Sequence, residues 1–284
     1  MGNKIFKDIL RRLGIASKPN NNNRSDDSPY LLYTFDDAQM DRMQIRHNMY
    51  RTFYDGNYKS PIEDQLTRGN FQVLDVGTCP VWSMDMATSY PNSQFTALDI
   101  FNVYPKHKPR NVTIIHCDIL RELPFESNSF DYIHLSHLVI HLNSSQLEGI
   151  FEEIARILKP GGYLECFDTE LPMYNSPPYM KNFFEEILRR LQSRNIYPLD
   201  VLKFEQYILN TEVFENIKHE KHILTMKDEI IGKFLIENVV MFVLNSHESI
   251  DPSLSDDAIQ RLPADFKLYN SYIQQHRYIA VKSS

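Results

Sequence analysis

Acidic residues at predicted strand ends and a run of histidines are what this chain offers for chemistry. Asp99 closes FTALDI (95–100), Asp118 follows VTIIHC (112–117), and Asp75 lies inside VLDVG (73–77). Open parallel sheets bind ligands at the carboxyl ends of their strands, where Asp99 and Asp118 both fall. Asp99 as a turn residue and Asp118 as an ordinary loop acid remain the alternatives. HLSHLVIHL places His134, His137 and His141 at and just after another strand. A positioned imidazole there can take a proton from a reacting group, and His137 is the candidate base. A strand turning into a loop does not hold three histidines on one face, so no metal site is expected. His219 and His222, three apart on a predicted strand, face opposite sides and form no ligand pair.

The elements that must position these groups follow from periodicity. Asp36 and Asp37 can open a helix with Met40, Met43, Tyr50, Phe53 and Tyr54 on one side. Phe71–Val76 is an apolar strand, and Trp82, Met86, Ala87 and Tyr90 mark a short helix that Pro91 ends. Strands over 95–100, 112–117 and 130–135 follow. Leu147, Ile150, Phe151, Ile154 and Leu158 then make a helix, Lys159-Pro160-Gly161-Gly162 its stop and turn, and YLECFD (163–168) the fifth strand. Such βα alternation means a parallel sheet with helices on both faces. Beyond residue 170 the spacing predicts a helix around 183–191, a strand over 213–225, helices over 228–246 and 254–273, and a last strand over 277–281. The apolar residues Ile230, Ile231, Phe234, Leu235, Val239 and Phe242 are too many for a solvated helix surface, so 228–246 should pack on the sheet edge or on the N-terminal helix.

Composition narrows the function classes. The 284 residues carry 30 basic against 37 acidic side chains, a formal charge of −7, which argues against broad binding to nucleic acid or anionic lipid. No apolar run approaches the ~18 residues a membrane span needs. Cys79, Cys117 and Cys166 are odd in number and far apart, and read as reduced intracellular thiols; a cytoplasmic or nuclear protein is expected. MGNKIF has the Gly2 of a myristoylation site but Phe6 where that motif wants Ser or Thr. Residues 2–15 are patterned as a short amphipathic helix, and PNNNNRSDDSP (19–29) as a linker.

In this order the motifs resemble the class I S-adenosylmethionine-dependent methyltransferases. VLDVG matches that family's first motif, ALDI (97–100) its acidic second strand, CDILRELPFESNSFDYIHLSHL (117–138) its adenine-side motif and fourth strand, and ILKPGGYLE (157–165) its fifth-strand motif. GNYKSPIEDQL (56–66), Trp82 and YIQQHRYIAVK (272–282) resemble fungal methyltransferase-domain proteins of the secondary-metabolism and trans-aconitate-methyltransferase-like type. The resemblance implies a doubly wound, Rossmann-like α/β fold with a seven-stranded, mostly parallel sheet, an N-terminal helical cap and a C-terminal helical insertion. The expected division is a tail over 1–29, a cap over 30–70, a cofactor-binding core over 71–170, and C-terminal strands with a helical lid over 171–284. It also implies roles: Gly77 turns the chain under the cofactor's methionine, Asp99 accepts the ribose hydroxyls, Asp118 takes the adenine amino group, and Ile100 and Ile119 pack on the ring. Asp75 and Ser136 complete the expected cofactor-binding set. The partner is a small-molecule methyl acceptor, with a protein partner at the C-terminal helices as a further expectation.

The chain departs from the family at the cradle. Where Asp-Val-Gly-Cys-Gly-x-Gly-x-Trp is usual, Asp75-Val76-Gly77-Thr78-Cys79-Pro80-Val81-Trp82 is one residue shorter and two glycines poorer. A non-glycine residue forced to positive φ costs about 1–2 kcal/mol. Pro80 lacks an N–H but suits the first position of a helix. A weakly active or inactive methyltransferase-like module that binds a protein is therefore the alternative expectation.

Overall fold

The structure is a computed structural model that describes residues 37–77, 80–100 and 107–284, without the side chains of residues 37, 38 and 99. The proposed helix at 2–15, the linker at 19–29, the loop residues Thr78 and Cys79, and the Asp99 carboxylate lie outside it. Two compact units interleave in sequence: one takes the chain up to Phe53, Leu171–Asn195 and Ile223–Gln274, the other Tyr54–Glu170, Ile196–His222 and Gln275–Ser284.

The second unit is built on one sheet. In chain order the elements of both units are α1 (Asp37–Tyr54, in the first unit up to Phe53), α2 (Glu63–Arg68), β1 (Gln72–Val76), α3 (Val81–Ser89), β2 (Gln94–Asp99), β3 (Val112–His116), β4 (Phe130–Ser136), α4 (Ser144–Ile157), β5 (Leu158–Thr169), α5 (Lys181–Gln192, in the first unit), α6 (Phe204–Asn210) and β6 (Phe214–Thr225). The chain ends with α7 (Ile231–Ile250) and α8 (Asp256–Leu268) of the first unit and then β7 (Tyr272–Lys282). The seven strands lie in the order β3-β2-β1-β4-β5-β7-β6. β1 to β5 pair in parallel, and β7 runs antiparallel to β5. This is the expected mostly parallel sheet, with a reversal at the last strand.

Alternation along the strands divides the core. Leu74, Val76, Ile133, Leu135, Leu164 and Cys166 face α4 and α6, where Phe151, Ile154, Phe204 and Ile208 close a large apolar cluster. Val73, Phe95 and Tyr132 face the other way, toward Leu66 of α2 and Trp82, Met86 and Ala87 of α3. The helix α4 starts on a capping box, in which the Asn143 side chain accepts from Gln146 N while the Gln146 side chain accepts from Asn143 N, so its first turn is satisfied internally.

The segment Lys159-Pro160-Gly161-Gly162 is a correction. It was expected as a stop and turn before the strand, yet β5 runs through it from Leu158, with a register shift against β4 between Phe130 and Tyr132. A Cβ on Gly162 would stand 2.8 Å from Lys159 O and 2.9 Å from Asp131 O, so only glycine lets the backbones approach here.

The first unit is helical. The α7 amide of Asn238 donates to Arg42 O at 3.0 Å, and the Arg42 guanidinium lies over the Phe242 ring at 5.5 Å, so α7 packs on the N-terminal helix. Ile231, Leu235, Val240, Met241 and Val243 are buried on α7, whereas Ile230, expected in that apolar face, precedes the helix and is exposed. Tyr179 Oη donates to Asp265 of α8 at 2.8 Å. No described helix is long and apolar enough to cross a membrane.

Candidate functional site

Parallel pairing brings the carboxyl ends of β1, β2, β3 and β4 to one edge of the sheet. Gly77 follows β1 directly, and its N–H donates to Leu98 O at 3.3 Å. Its φ is +100°, and a Cβ on it would strike the Leu138 side chain, with Cγ at 3.2 Å. Glycine is therefore required twice over, for the turn and for the close pass beside the chain leaving β4. Ser136 ends β4 next to this turn, its carbonyl 3.5 Å from the same added Cβ. Pro80 caps α3, and the helix begins at Val81 rather than at the proline.

Asp99 ends β2 in register with His116 of β3. Ile100 follows, with its carbonyl 2.6 Å from His116 Nε2. Asp118 lies just beyond β3, its Oδ1 accepting from Leu120 N at 3.0 Å and its Oδ2 3.9 Å from Arg121 Nε. With 36% side-chain exposure it stays open to a ligand. Ile119 is half-buried and leans on the large apolar cluster. The backbones of the three expected strand-end groups thus share an edge.

His137 leaves β4 at φ +58°, a left-handed conformation that is uncommon for a side chain of this size. Its N–H donates to Phe167 O at 3.2 Å, and its ring meets the Phe167 ring edge-on at 5.1 Å. Next to it, Asp168 turns its carboxylate back into the backbone, accepting from Val139 N and Thr169 N at 2.8 Å each. These bonds fix the loop that carries His137 to the end of β5.

Asp75 is placed differently from the open acids. It is buried, one oxygen lying 2.8 Å from His134 Nδ1 and the other accepting from Ser83 Oγ at 2.8 Å. Because an ionised carboxylate only accepts, His134 Nδ1–H is the donor of this pair. Trp82 stacks on that imidazole at 4.1 Å and 7°. Sequence reasoning read His134 as one of three neighbouring histidines and did not pair it with Asp75. The pairing is made by register, since Asp75 and His134 are direct partners across β1 and β4.

A second buried group escaped the sequence altogether. Glu165, opposite His134 in β5, accepts from Lys59 N at 3.0 Å, Ser60 N at 3.0 Å and Ser60 Oγ at 2.8 Å. Arg277 of β7 has its Nε 3.5 Å from Glu165 Oε1, and its guanidinium stacks on Tyr54, 3.5 Å from the ring centroid. Both charged side chains are almost wholly buried. The signal available was a charged residue within an otherwise strand-like run, in YLECFD and in YIQQHRYIAVK. Burial first, then the charge of Glu165, pushes the Tyr132 phenol well above its ordinary range. Cys117 and Cys166 are free thiols, both pushed up chiefly by burial, which makes them poor nucleophiles.

On the opposite face of β7, His276 lies 2.6 Å from Glu170 and 2.8 Å from His219. His219 and His222 are indeed turned apart, the first to His276 and the second against the Tyr54 ring.

Residues 74–166 match a family described as a methyltransferase domain. Methyltransferase str2 of Strobilurus tenacellus is 28% identical over 144 residues, covering 50% of this chain and 50% of its own. The N-methyltransferase verN of Clonostachys rogersoniana is 26% identical over 204 residues, covering 69% of this chain and 67% of its own. Among curated relatives such as these the chain spans as little as half of the relative's length. Among solved structures, Haemonchus contortus phosphoethanolamine N-methyltransferase 2 in complex with S-adenosyl-L-methionine is 19% identical with a TM-score of 0.51, over 85% of this chain and 57% of that one, a likeness of fold. The match over residues 74–166 to a methyltransferase domain and the seven-stranded sheet order agree on the Rossmann-like fold of that solved methyltransferase.

Proposed function

We propose that the protein is an S-adenosylmethionine-dependent methyltransferase acting on a small organic acceptor. The observation that carries the reading is Gly77, kept at positive φ at the end of β1 within the methyltransferase domain. That turn leaves its backbone free of a side chain where the methionine part would pass. The donor set suits the rest of the cofactor: Asp99 for the ribose hydroxyls, the half-open Asp118 for the adenine amino group, and Ile100 and Ile119 for the ring. Ser136 lines the same edge. Asp75, with both oxygens engaged by His134 and Ser83, acts by holding the strand end rather than by touching the cofactor.

The bound cofactor supplies an activated methyl group on a sulfonium. The protein's part is to align the acceptor for in-line attack and to receive its proton. His137 is the proposed base. Its strained backbone and its contact with Phe167 support a fixed imidazole at the site. The names of the relatives give the inactive-module alternative no support.

Calorimetry with S-adenosylmethionine tests this reading. Binding is expected, and Asp99→Ala should weaken it by about tenfold or more, since a charged acceptor of a buried diol contributes about 1.5–3 kcal/mol. Replacing Thr78-Cys79-Pro80-Val81 by Cys-Gly-Pro-Gly-Thr restores the family's glycines and should tighten binding. Failure of both the natural and the grafted chain to bind would overturn the reading.

A further inference from the structure

We propose that Arg277 and Gln275 bind a carboxylate of the methyl acceptor, an inference that rests on the methyltransferase reading and names the acceptor's class. The two residues alternate on β7 with His276 and so share the sheet face of Glu165. Each is almost wholly buried. Arg277 Nε and Nη1 and Gln275 Nε2 have no hydrogen-bond partner among the described residues. Gln275 Oε1 already receives the Tyr54 hydroxyl, which fixes the free end of that amide as its N–H donor. Three buried donors thus await acceptors.

The obvious partner does not meet them. Glu165 is satisfied by the amides of Lys59 and Ser60 and by the Ser60 hydroxyl, and its approach to Arg277 is an ion pair without a hydrogen bond. Buried donors left unmet are costly, and native proteins rarely leave them so. The group that completes this cluster must therefore accept without donating. A carboxylate fits the planar guanidinium fork, which the Tyr54 ring holds in one plane from 3.5 Å away. A hydroxyl or an amine would bring donors of its own.

The position suits an acceptor. Arg277 pairs with Phe167 and Gln275 with Thr169, the last residues of β5, at the edge where His137 also bonds to Phe167. The Phe167 ring is 5.9 Å from the guanidinium and 5.1 Å from the His137 ring, an apolar wall shared by the donor cluster and the proposed base. A carboxylate on Arg277 would orient the rest of a small acceptor along that wall.

The test titrates the full chain, saturated with S-adenosylhomocysteine, with benzoate, its neutral isostere benzamide, phenyl phosphate and formate, read by thermal shift and calorimetry. Benzoate or formate should bind and benzamide should not. Arg277→Gln should weaken benzoate by about tenfold or more while leaving S-adenosylhomocysteine binding unchanged, and Arg277→Lys should keep part of it. Because Arg277→Gln leaves Glu165 without its counter-charge, Arg277→Gln with Glu165→Gln repeats the measurement in a charge-balanced chain. Equal binding of benzamide, preference for phenyl phosphate, benzoate binding that survives both Arg277→Gln variants, or no response to either carboxylate overturns the proposal. Benzoate binding without S-adenosylhomocysteine binding supports the carboxylate site and overturns only the methyltransferase reading.

Discussion

The two faces of the sheet solve the burial problem in opposite ways. Toward α4 and α6 the strands present Leu74, Val76, Ile133, Leu135 and Leu164, and the helices answer with Phe151, Ile154 and Phe204, an apolar core with Phe151 and Phe204 ring to edge at 5.3 Å. Toward α2 and α3 the same strands carry Asp75, His134 and Glu165 among Val73 and Tyr132, and β7 adds Arg277 on the face of Glu165. A buried ion pair is weak evidence for stability, since apolar residues of similar volume often do as well or better, while losing one partner is costly. The apolar face is thus where the fold gains its stability. The polar face accepts a desolvation cost, and the proposed site supplies the reason: its side chains fix groups at the carboxyl edge.

The comparison breaks most visibly at Glu165. Glu165→Ala strips three protein donors of their acceptor and leaves Arg277 uncompensated, and should cost about 4–5 kcal/mol in denaturant unfolding. Replacing both partners, as Glu165→Gln with Arg277→Met, should recover most of that loss. A double variant as unstable as the single one would mean that the polar face stabilises the fold after all.

On the other face, Phe151→Ala should cost about 3–4 kcal/mol through lost burial and the cavity left against Phe204 and Tyr207, and no companion charge change should rescue it. Ser83→Ala should cost only about 1 kcal/mol, because Asp75 keeps His134 when it loses the hydroxyl. Nitrogen NMR of His134 reads the consequence: the Nδ1–H hydrogen bond to Asp75 should persist in Ser83→Ala and be lost in Asp75→Ala.

The smallest effect belongs to the helical unit, at a surface pair whose Arg189 is exposed. Arg189 and then Arg190 hold the Glu186 carboxyl down at about 2, with Nε distances of 2.7 and 2.6 Å. A lowered carboxylate pKa contributes stability above its unfolded value near 4.5, and that contribution fades as pH falls toward about 2. Glu186→Gln should therefore cost under about 0.5 kcal/mol at neutral pH, given the exposed Arg189, and the difference from the natural chain should vanish in acid. A loss as large as that of Glu165→Ala would erase the distinction between buried and surface pairs.

The sequence by itself determined the sheet and its ligand edge. The βα alternation, the apolar strands and the acids closing two of them are local patterns, and parallel pairing turns strand ends into neighbours whatever the details. It also marked Gly77 and the His137 loop, because a glycine after a buried strand and a polar run after another are legible as turns. Run-on elements misled it: Lys159-Pro160-Gly161-Gly162 has turn chemistry, yet β4 pairs on either side of it, at Leu158 and at Tyr163, and the segment runs on within β5 as the irregularity between those pairs. Tertiary structure alone decided which charges meet. Asp75 and His134 are 59 residues apart, Glu165 and Ser60 are 105 apart, and Tyr54 and Gln275 are 221 apart. No periodicity records such pairs, because register across strands and the antiparallel return of β7 set them. Hydrogen-bond satisfaction is a property of the packed face, and only there does Arg277 change from a charged residue in a strand into a donor without an acceptor.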